Sequence, residues 1–157
     1  MKVIKKVKKD DRMIIYSIIE DLLDNSGEQP SLNHLEKLLA DDRTYLFAAI
    51  LDDKVIGYAL AYRFPSLYTS DYLAYLYDIE VLATYRRQGA GRLLIETLLA
   101  HLKSDGVSEL WLGTATDNIE GQAFFSATGG IKSGETFNDF TYELIEPNPG
   151  KNRDENT

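Results

Sequence analysis

The sequence predicts a single α/β domain, a mixed and mostly antiparallel sheet with helices on its flanks. Three observations carry that prediction. The chain has 157 residues, 44% of them hydrophobic, which is enough for one core and too little for two. Its apolar patterns run strand, two helices, three strands, then helix, strand, helix, strand. The middle strands are joined by a tight turn, as in an antiparallel meander, whereas the later ones are separated by helices long enough for crossovers.

Each element has a local reason. Val3 to Val7 alternates with lysine and reads as a short strand. Behind Asp10 or Asp11, residues Met13, Ile14, Ile18, Ile19, Leu22 and Leu23 recur at helical spacing, and an aspartate suits the N-cap. "DNSGEQP" breaks that helix, and Ser31 caps a second one with the apolar face Leu32, Leu35, Leu38 and Leu39. "TYLFAAIL" and "KVIGYALAYRF" form a hairpin turning at Asp52-Asp53. "PSLYTSD" is a loop, and "YLAYLYDIEVL" is the next strand. A helix follows from about Gly89 to Lys103, then the strand "SELWLGTAT", a helix opened by Asp117 or Asn118, and a last strand, "DFTYELI". The domain is expected over residues 1–146, with 147–157 a polar, flexible tail.

Composition narrows the function. The formal net charge is -8, which disfavours nucleic acid and anionic membrane and favours a cationic partner. No window approaches the roughly 18 apolar residues of a membrane span, and no export signal is visible, so a cytoplasmic location is expected. Cysteine is absent, which removes thiol nucleophiles and Cys-based zinc sites. The two histidines, His34 and His101, are far apart, and no metal is expected.

The most informative stretch is "YRRQGAGRLLIETLLAHL", where arginines and glycines precede a leucine-rich helix. Glycine lets backbone approach a ligand, and a helix N-terminus attracts phosphate. The stretch lacks the lysine and hydroxyl of a P-loop and the third glycine of a dinucleotide fingerprint. What remains, Arg86-x-x-Gly89-x-Gly91 between a strand and a helix, closely resembles the Q/R-x-x-G-x-G/A loop of the GNAT (GCN5-related) N-acetyltransferases. The order of elements and "DNIEGQAFFSATGGI" resemble that family as well. Upstream, "QPSLNHLEKLL", the short hairpin and "YLYDIEVLATYRRQGAGRLL" are similar to the aminoglycoside 3-N-acetyltransferases of the gentamicin/fortimicin type.

The resemblance implies acetyl-CoA as cosubstrate, its pyrophosphate held by Arg86, Arg87, Gln88, Gly89, Ala90, Gly91 and Arg92. Asn118 and the following turn would border the pantetheine arm, and a backbone N–H near Val81 would face the thioester oxygen. Phe125 stands where many GNAT enzymes carry a thiolate-protonating tyrosine. Phenylalanine has no proton to give, so water or another tyrosine, such as Tyr77 or Tyr142, is expected to serve. The implied reaction is acetylation of the 3-amino group of an aminoglycoside. That would remove a positive charge from the drug and weaken its hold on RNA, giving resistance. Homodimers are common in the family, so a second copy is a candidate partner. The alternatives are acetylation of a polyamine or peptide amine, or a silent acetyl-CoA-binding module.

The residues supply their own argument for the acceptor side. An ammonium cannot attack until a base takes its proton. Asp78 and Glu80 are two apart in a strand and share a face; Tyr75, Tyr77, Ile79 and Val81 take the other unless a bulge intervenes. Asp78 is the expected base and Glu80 its partner, both binding the cationic amine. Asp139 and Glu143 are further candidates to line the amine site; Glu135, Asp52 and Asp53 are weaker ones. Trp111 is expected in the core.

Overall fold

The computed structural model describes residues 1–23 and 29–145. Five strands form one sheet in the order β1-β2-β3-β4-β5: β1 (Lys2–Lys6), β2 (Thr44–Leu51), β3 (Lys54–Pro65), β4 (Tyr72–Val81) and β5 (Val107–Trp111). The first four are antiparallel to their neighbours, and β5 runs parallel to β4. Helices α1 (Arg12–Asp21) and α2 (Leu32–Ala40) cover one face, and α3 (Ala90–Ser104) and α4 (Ile119–Ala127) pack on the other.

Two apolar layers follow from this arrangement. Ile15, Ile18 and Leu35 meet Leu46, Ala48, Val55 and Tyr58 on the α1/α2 side. Leu94, Leu98 and Leu102 of α3 meet Phe47, Ile56, Ala59, Ala74 and Leu76 on the other. Capping follows the sequence at Ser31, whose hydroxyl accepts the His34 N–H at 3.2 Å. At Asp11 it does not: that carboxylate turns outward to the Lys8 N–H at 2.9 Å and to Lys5 at 2.5 Å. The β2–β3 hairpin turns on Asp52 and Asp53 at φ 48° and 66°, both left-handed, as a two-residue turn requires.

Four expectations are corrected. First, "DFTYELI" forms no strand in this chain; residues 131–145 lie outside the sheet and are exposed. Second, β5 stops at Trp111 instead of continuing to residue 116. Third, Trp111 is 47% exposed. It belongs to a strand whose α1/α2-side face no helix covers, and its ring packs on Tyr75 at 4.6 Å and faces Phe64 at 6.4 Å. Fourth, Tyr75 and Tyr77 do not share a face with Ile79 and Val81. Leu60 pairs with Asp78 while Ala61 pairs with Leu76, so Tyr77 is the extra residue of a bulge. The break expected at "DNSGEQP" falls largely on residues 24–28, and the tail at 147–157; both lie outside the described residues.

Candidate active site

The bulge decides where the chemistry can sit. Ala74 and Leu76 point into the α3 layer, so unbroken alternation would drive Asp78 and Glu80 into the same apolar core. One extra residue reverses the phase. Ile79 and Val81 now continue the core, and Asp78 and Glu80 turn to the opposite face, with Tyr58 and Tyr62. Asp78 accepts a hydrogen bond from the Tyr58 hydroxyl. Burial, and then that bond to Asp78, push the ionisation of Tyr58 far above its ordinary value, so it stays a donor. Glu80 is held by Arg86, whose guanidinium donates to it at 2.6 Å and to the Val81 carbonyl at 2.9 Å. The two carboxylates thus share a face but have separate partners.

Around them the sheet is open and aromatic. Tyr77, 68% exposed, meets Tyr62 edge-on at 6.0 Å, and Tyr75, Trp111 and Phe64 extend the surface toward β5. A separate cleft of about 550 Å³ lies between α2 and the ends of β2 and β3, lined by His34, Lys37, Arg43, Tyr62 and Phe64 among others. It touches the aromatic surface at one end and contains neither carboxylate.

On the other side of β4 the sheet splays. β4 and β5 pair only over Tyr72–Tyr75, so from Leu76 to Val81 the edge of β4 has no strand partner among the described residues. The Leu82 N–H donates to Ile56 of β3, so alternation aims the Val81 N–H and C=O into the splay. A short 3₁₀ turn over Ala83–Tyr85 then leads to the glycine loop. Arg87 is left-handed at φ 62°, and Gly89, the N-cap of α3, at φ 84°. No side chain caps α3, so its first N–H groups are directed outward from the turn. A Cβ built on Gly89 meets nothing within 4 Å; one on Gly91 comes within 3.0 Å of the Phe124 ring. One glycine opens the space in front of the helix, and the other brings α3 against α4.

The loop residues therefore fit a diphosphate, though not each in the same way. The backbone of Gly89, Ala90, Gly91 and Arg92 would form the cradle, and the Arg87 and Gln88 side chains are exposed beside it. Arg86 turns back onto β4 instead. Arg92 donates to the Ala127 carbonyl at 2.9 Å, which ties α3 to the end of α4. Asn118 is an N-cap: its Oδ1 accepts the Gly121 N–H at 3.0 Å and its amide donates to Thr114 at 2.9 Å. Phe125 packs on Phe124 at 5.2 Å, partly buried in the α3 layer. Asp139 and Glu143 lie on the exposed segment beyond α4, outside the sheet that carries Asp78. Among the described residues no cluster of three His, Asp or Glu could hold a metal.

Sequence reasoning missed Tyr58 and the aromatic surface. In "KVIGYALAYRF" a tyrosine reads as one more core residue; only the strand register sets it against Asp78.

A strand that splays from its parallel neighbour above an uncapped, glycine-opened helix is the setting for a phosphate-bearing ligand. Residues 13–129 match the family model "Acetyltransferase (GNAT) family", and the chain belongs to that family, whose cosubstrate is acetyl-CoA. Its fold superposes with a TM-score of 0.83 on an aminoglycoside acetyltransferase, meta-AAC0020, from an uncultured soil metagenomic sample in complex with sisomicin; identity is 25%, covering 92% of this chain and 97% of that one. AAC(6')-Iy in complex with the bisubstrate analogue CoA-S-monomethyl-acetylneamine shares the fold, with a TM-score of 0.74 and 22% identity over 90% of this chain and 99% of that one. The [ribosomal protein bS18]-alanine N-acetyltransferase of Escherichia coli K12 is 39% identical over 56 residues, 36% of this chain and 38% of that protein. The match thus spans well under half the length of that curated relative.

Proposed function

We propose that the protein acetylates an amine of an aminoglycoside, using acetyl-CoA directly, and that the 3-amino group is the one modified. The observation that carries this is the pair Asp78 and Glu80, turned by the bulge onto an open, aromatic-lined face beside the splay. A polycationic sugar needs both features, carboxylates for its ammonium groups and ring faces for its apolar edges. The likeness to an aminoglycoside acetyltransferase over nearly the whole chain supports the reading.

When bound, acetyl-CoA supplies the acetyl thioester. Gly89 to Arg92 would hold its diphosphate with backbone N–H groups, and Arg87 would add charge. The Val81 N–H would face the thioester oxygen, where a preorganised donor is most effective. Asp78, held in place by Tyr58, would take the proton of the incoming ammonium, directly or through one water. Glu80 and Arg86 would hold the end of β4 in register beneath the amine. Phe125, packed on Phe124, has no proton to give, so the departing thiolate would be protonated from water or by an exposed tyrosine such as Tyr77.

A second reading, acetylation of a peptide α-amine, is favoured by the local likeness to the alanine acetyltransferase. CoA release from acetyl-CoA separates the two when measured with gentamicin, kanamycin, spermidine, a lysine peptide and an alanyl peptide. Release with gentamicin or kanamycin supports the proposal, and NMR of the product distinguishes the 3-amino from a 6′-amino group. Release with the alanyl peptide alone replaces the proposal with the second reading. Silence on all acceptors, with acetyl-CoA still bound, would leave a binding module.

A further inference from the structure

The glycine loop is tied to β1, a strand far from it in sequence. Along β1, alternation turns Lys2, Ile4 and Lys6 toward the α3 layer, where Ile4 packs. Lys6 rests its ammonium 5.0 Å from the centre of the Tyr45 ring. Lys2 makes a more specific contact. Half-buried at the start of the strand, it donates to the Gln88 carbonyl, 86 residues away. Lys2 pairs with Leu51 and Leu51 with Lys54, so both lysines stand on the α3 side of one cross-strand row. Lys54 reaches the turn just before the loop, its ammonium 5.4 Å from the centre of the Tyr85 ring.

The Gln88 carbonyl belongs to the peptide that joins Gln88 to Gly89. Rotating that peptide changes ψ of Gln88 and φ of Gly89, and glycine accepts either sign of φ. The loop's own sequence therefore does not fix which way the peptide faces. In a trans peptide the carbonyl and the N–H point in opposite directions. With its carbonyl on Lys2, this peptide turns the Gly89 N–H away from β1. That N–H has no acceptor among the described residues, and it precedes the first N–H groups of α3, which no side chain caps.

We propose that Lys2 is a positioning residue for acetyl-CoA: its ammonium holds the Gln88–Gly89 peptide so that the Gly89 N–H stays turned toward the diphosphate. The assignment rests on the diphosphate cradle proposed above for residues 89–92, and not on the identity of the amine. Lys2 itself need not touch the ligand. It acts by keeping a donor oriented before the ligand arrives, which lowers the cost of ordering the loop on binding.

Isothermal titration of the full chain with acetyl-CoA, without any acceptor, is the test. Lys2→Met keeps the length of the side chain and removes the donor. Its dissociation constant should rise about tenfold, the loss of one charge-assisted hydrogen bond. Lys2→Arg keeps a cationic donor and should recover most of that loss. Lys54→Met removes a charge from the same row without touching the Gln88 carbonyl, and should bind nearly as wild type does. Wild-type affinity in Lys2→Met would overturn the assignment. Equal losses in Lys2→Met and Lys54→Met would do the same, because charge alone would account for both. A loss that Lys2→Arg does not recover, with a lower Tm in the absence of ligand, would make Lys2 purely structural. Gly89→Ala separates Lys2 from the cradle. Weakened binding there, with wild-type affinity in Lys2→Met, removes Lys2 and keeps the cradle; unweakened binding in Gly89→Ala removes both.

Discussion

At the scale of single residues, the proposed site rests on Asp78 and the hydroxyl that holds it. Replacing Asp78 with Asn keeps the shape and a partner for Tyr58 but removes the proposed base. Turnover should fall about 100-fold or more, the usual contribution of a positioned general base, with acetyl-CoA affinity nearly unchanged. Steady-state kinetics with acetyl-CoA varied at saturating amine is the measurement; unaltered kcat would remove Asp78 from the role. Tyr58→Phe tests a different function. The ring remains packed among Val55, Leu60 and the α1/α2 layer, so the loss is one hydrogen bond, about 1 kcal/mol of stability. If Tyr58 orients Asp78, kcat should fall, though less than in Asp78→Asn, with the KM for acetyl-CoA unchanged. A loss of stability with an unchanged kcat would make Tyr58 purely structural. The sequence pointed to Asp78 through its chemistry, but not to Tyr58, because that contact exists only in the β3–β4 register.

At the scale of elements, the glycine loop makes separable predictions. Gly89→Ala forces a β-carbon residue to φ 84° yet meets no atom, so it should cost about 1–2 kcal/mol and intrude on the space in front of α3. Gly91→Ala has ordinary backbone but drives a Cβ to 3.0 Å from the Phe124 ring, and should displace α4 at a cost of about 1–3 kcal/mol. Thermal melts with and without acetyl-CoA distinguish them: Gly89→Ala should lose most of the ligand-induced rise in Tm, Gly91→Ala less of it. Equal losses would mean that the loop and the helix contact act as one unit. The same contrast shows what could be read from the sequence. The helices, the hairpin and the glycine turn before α3 were legible because each rests on local chemistry, as at Ser31, Asp52-Asp53 and Gly89. The bulge at Tyr77, the exposure of Trp111 and the fate of "DFTYELI" were not. Each depends on pairing: which residue is skipped, which face stays uncovered, and whether an alternating segment finds a sheet edge. A strand pattern names an element that needs a partner without naming the partner.

At the scale of the whole molecule, the fold should fail differently at the two ends of the pH range. On the acid side the shifted carboxylates are exposed. Asp11 is held below its ordinary value by Lys5, and Asp41 is lowered to about 2 by Arg43. A depressed carboxylate contributes stability above the unfolded value of 3.8 and loses it as pH falls through the folded one, and surface pairs of this kind contribute little. On the alkaline side the groups are buried. Tyr45, whose hydroxyl donates to Asp105 at 2.6 Å, and Tyr58 are both held protonated far above the ordinary 10.0, first by burial and then by those carboxylates. Raised values in the folded state mean that their stability is intact below pH 10 and is lost as pH rises above it, by about 1.4 kcal/mol per pH unit for each tyrosine. Thermal melts should therefore show a shallow acid limb and a steep alkaline one, with tyrosinate absorbance appearing together with unfolding. Tyr45→Phe should be less stable at neutral pH, having lost the bond to Asp105, but less steep above pH 10. A wild-type Tm that stays flat through the alkaline range, or a Tyr45→Phe slope equal to wild type, would show that these hydroxyls ionise without opening the core.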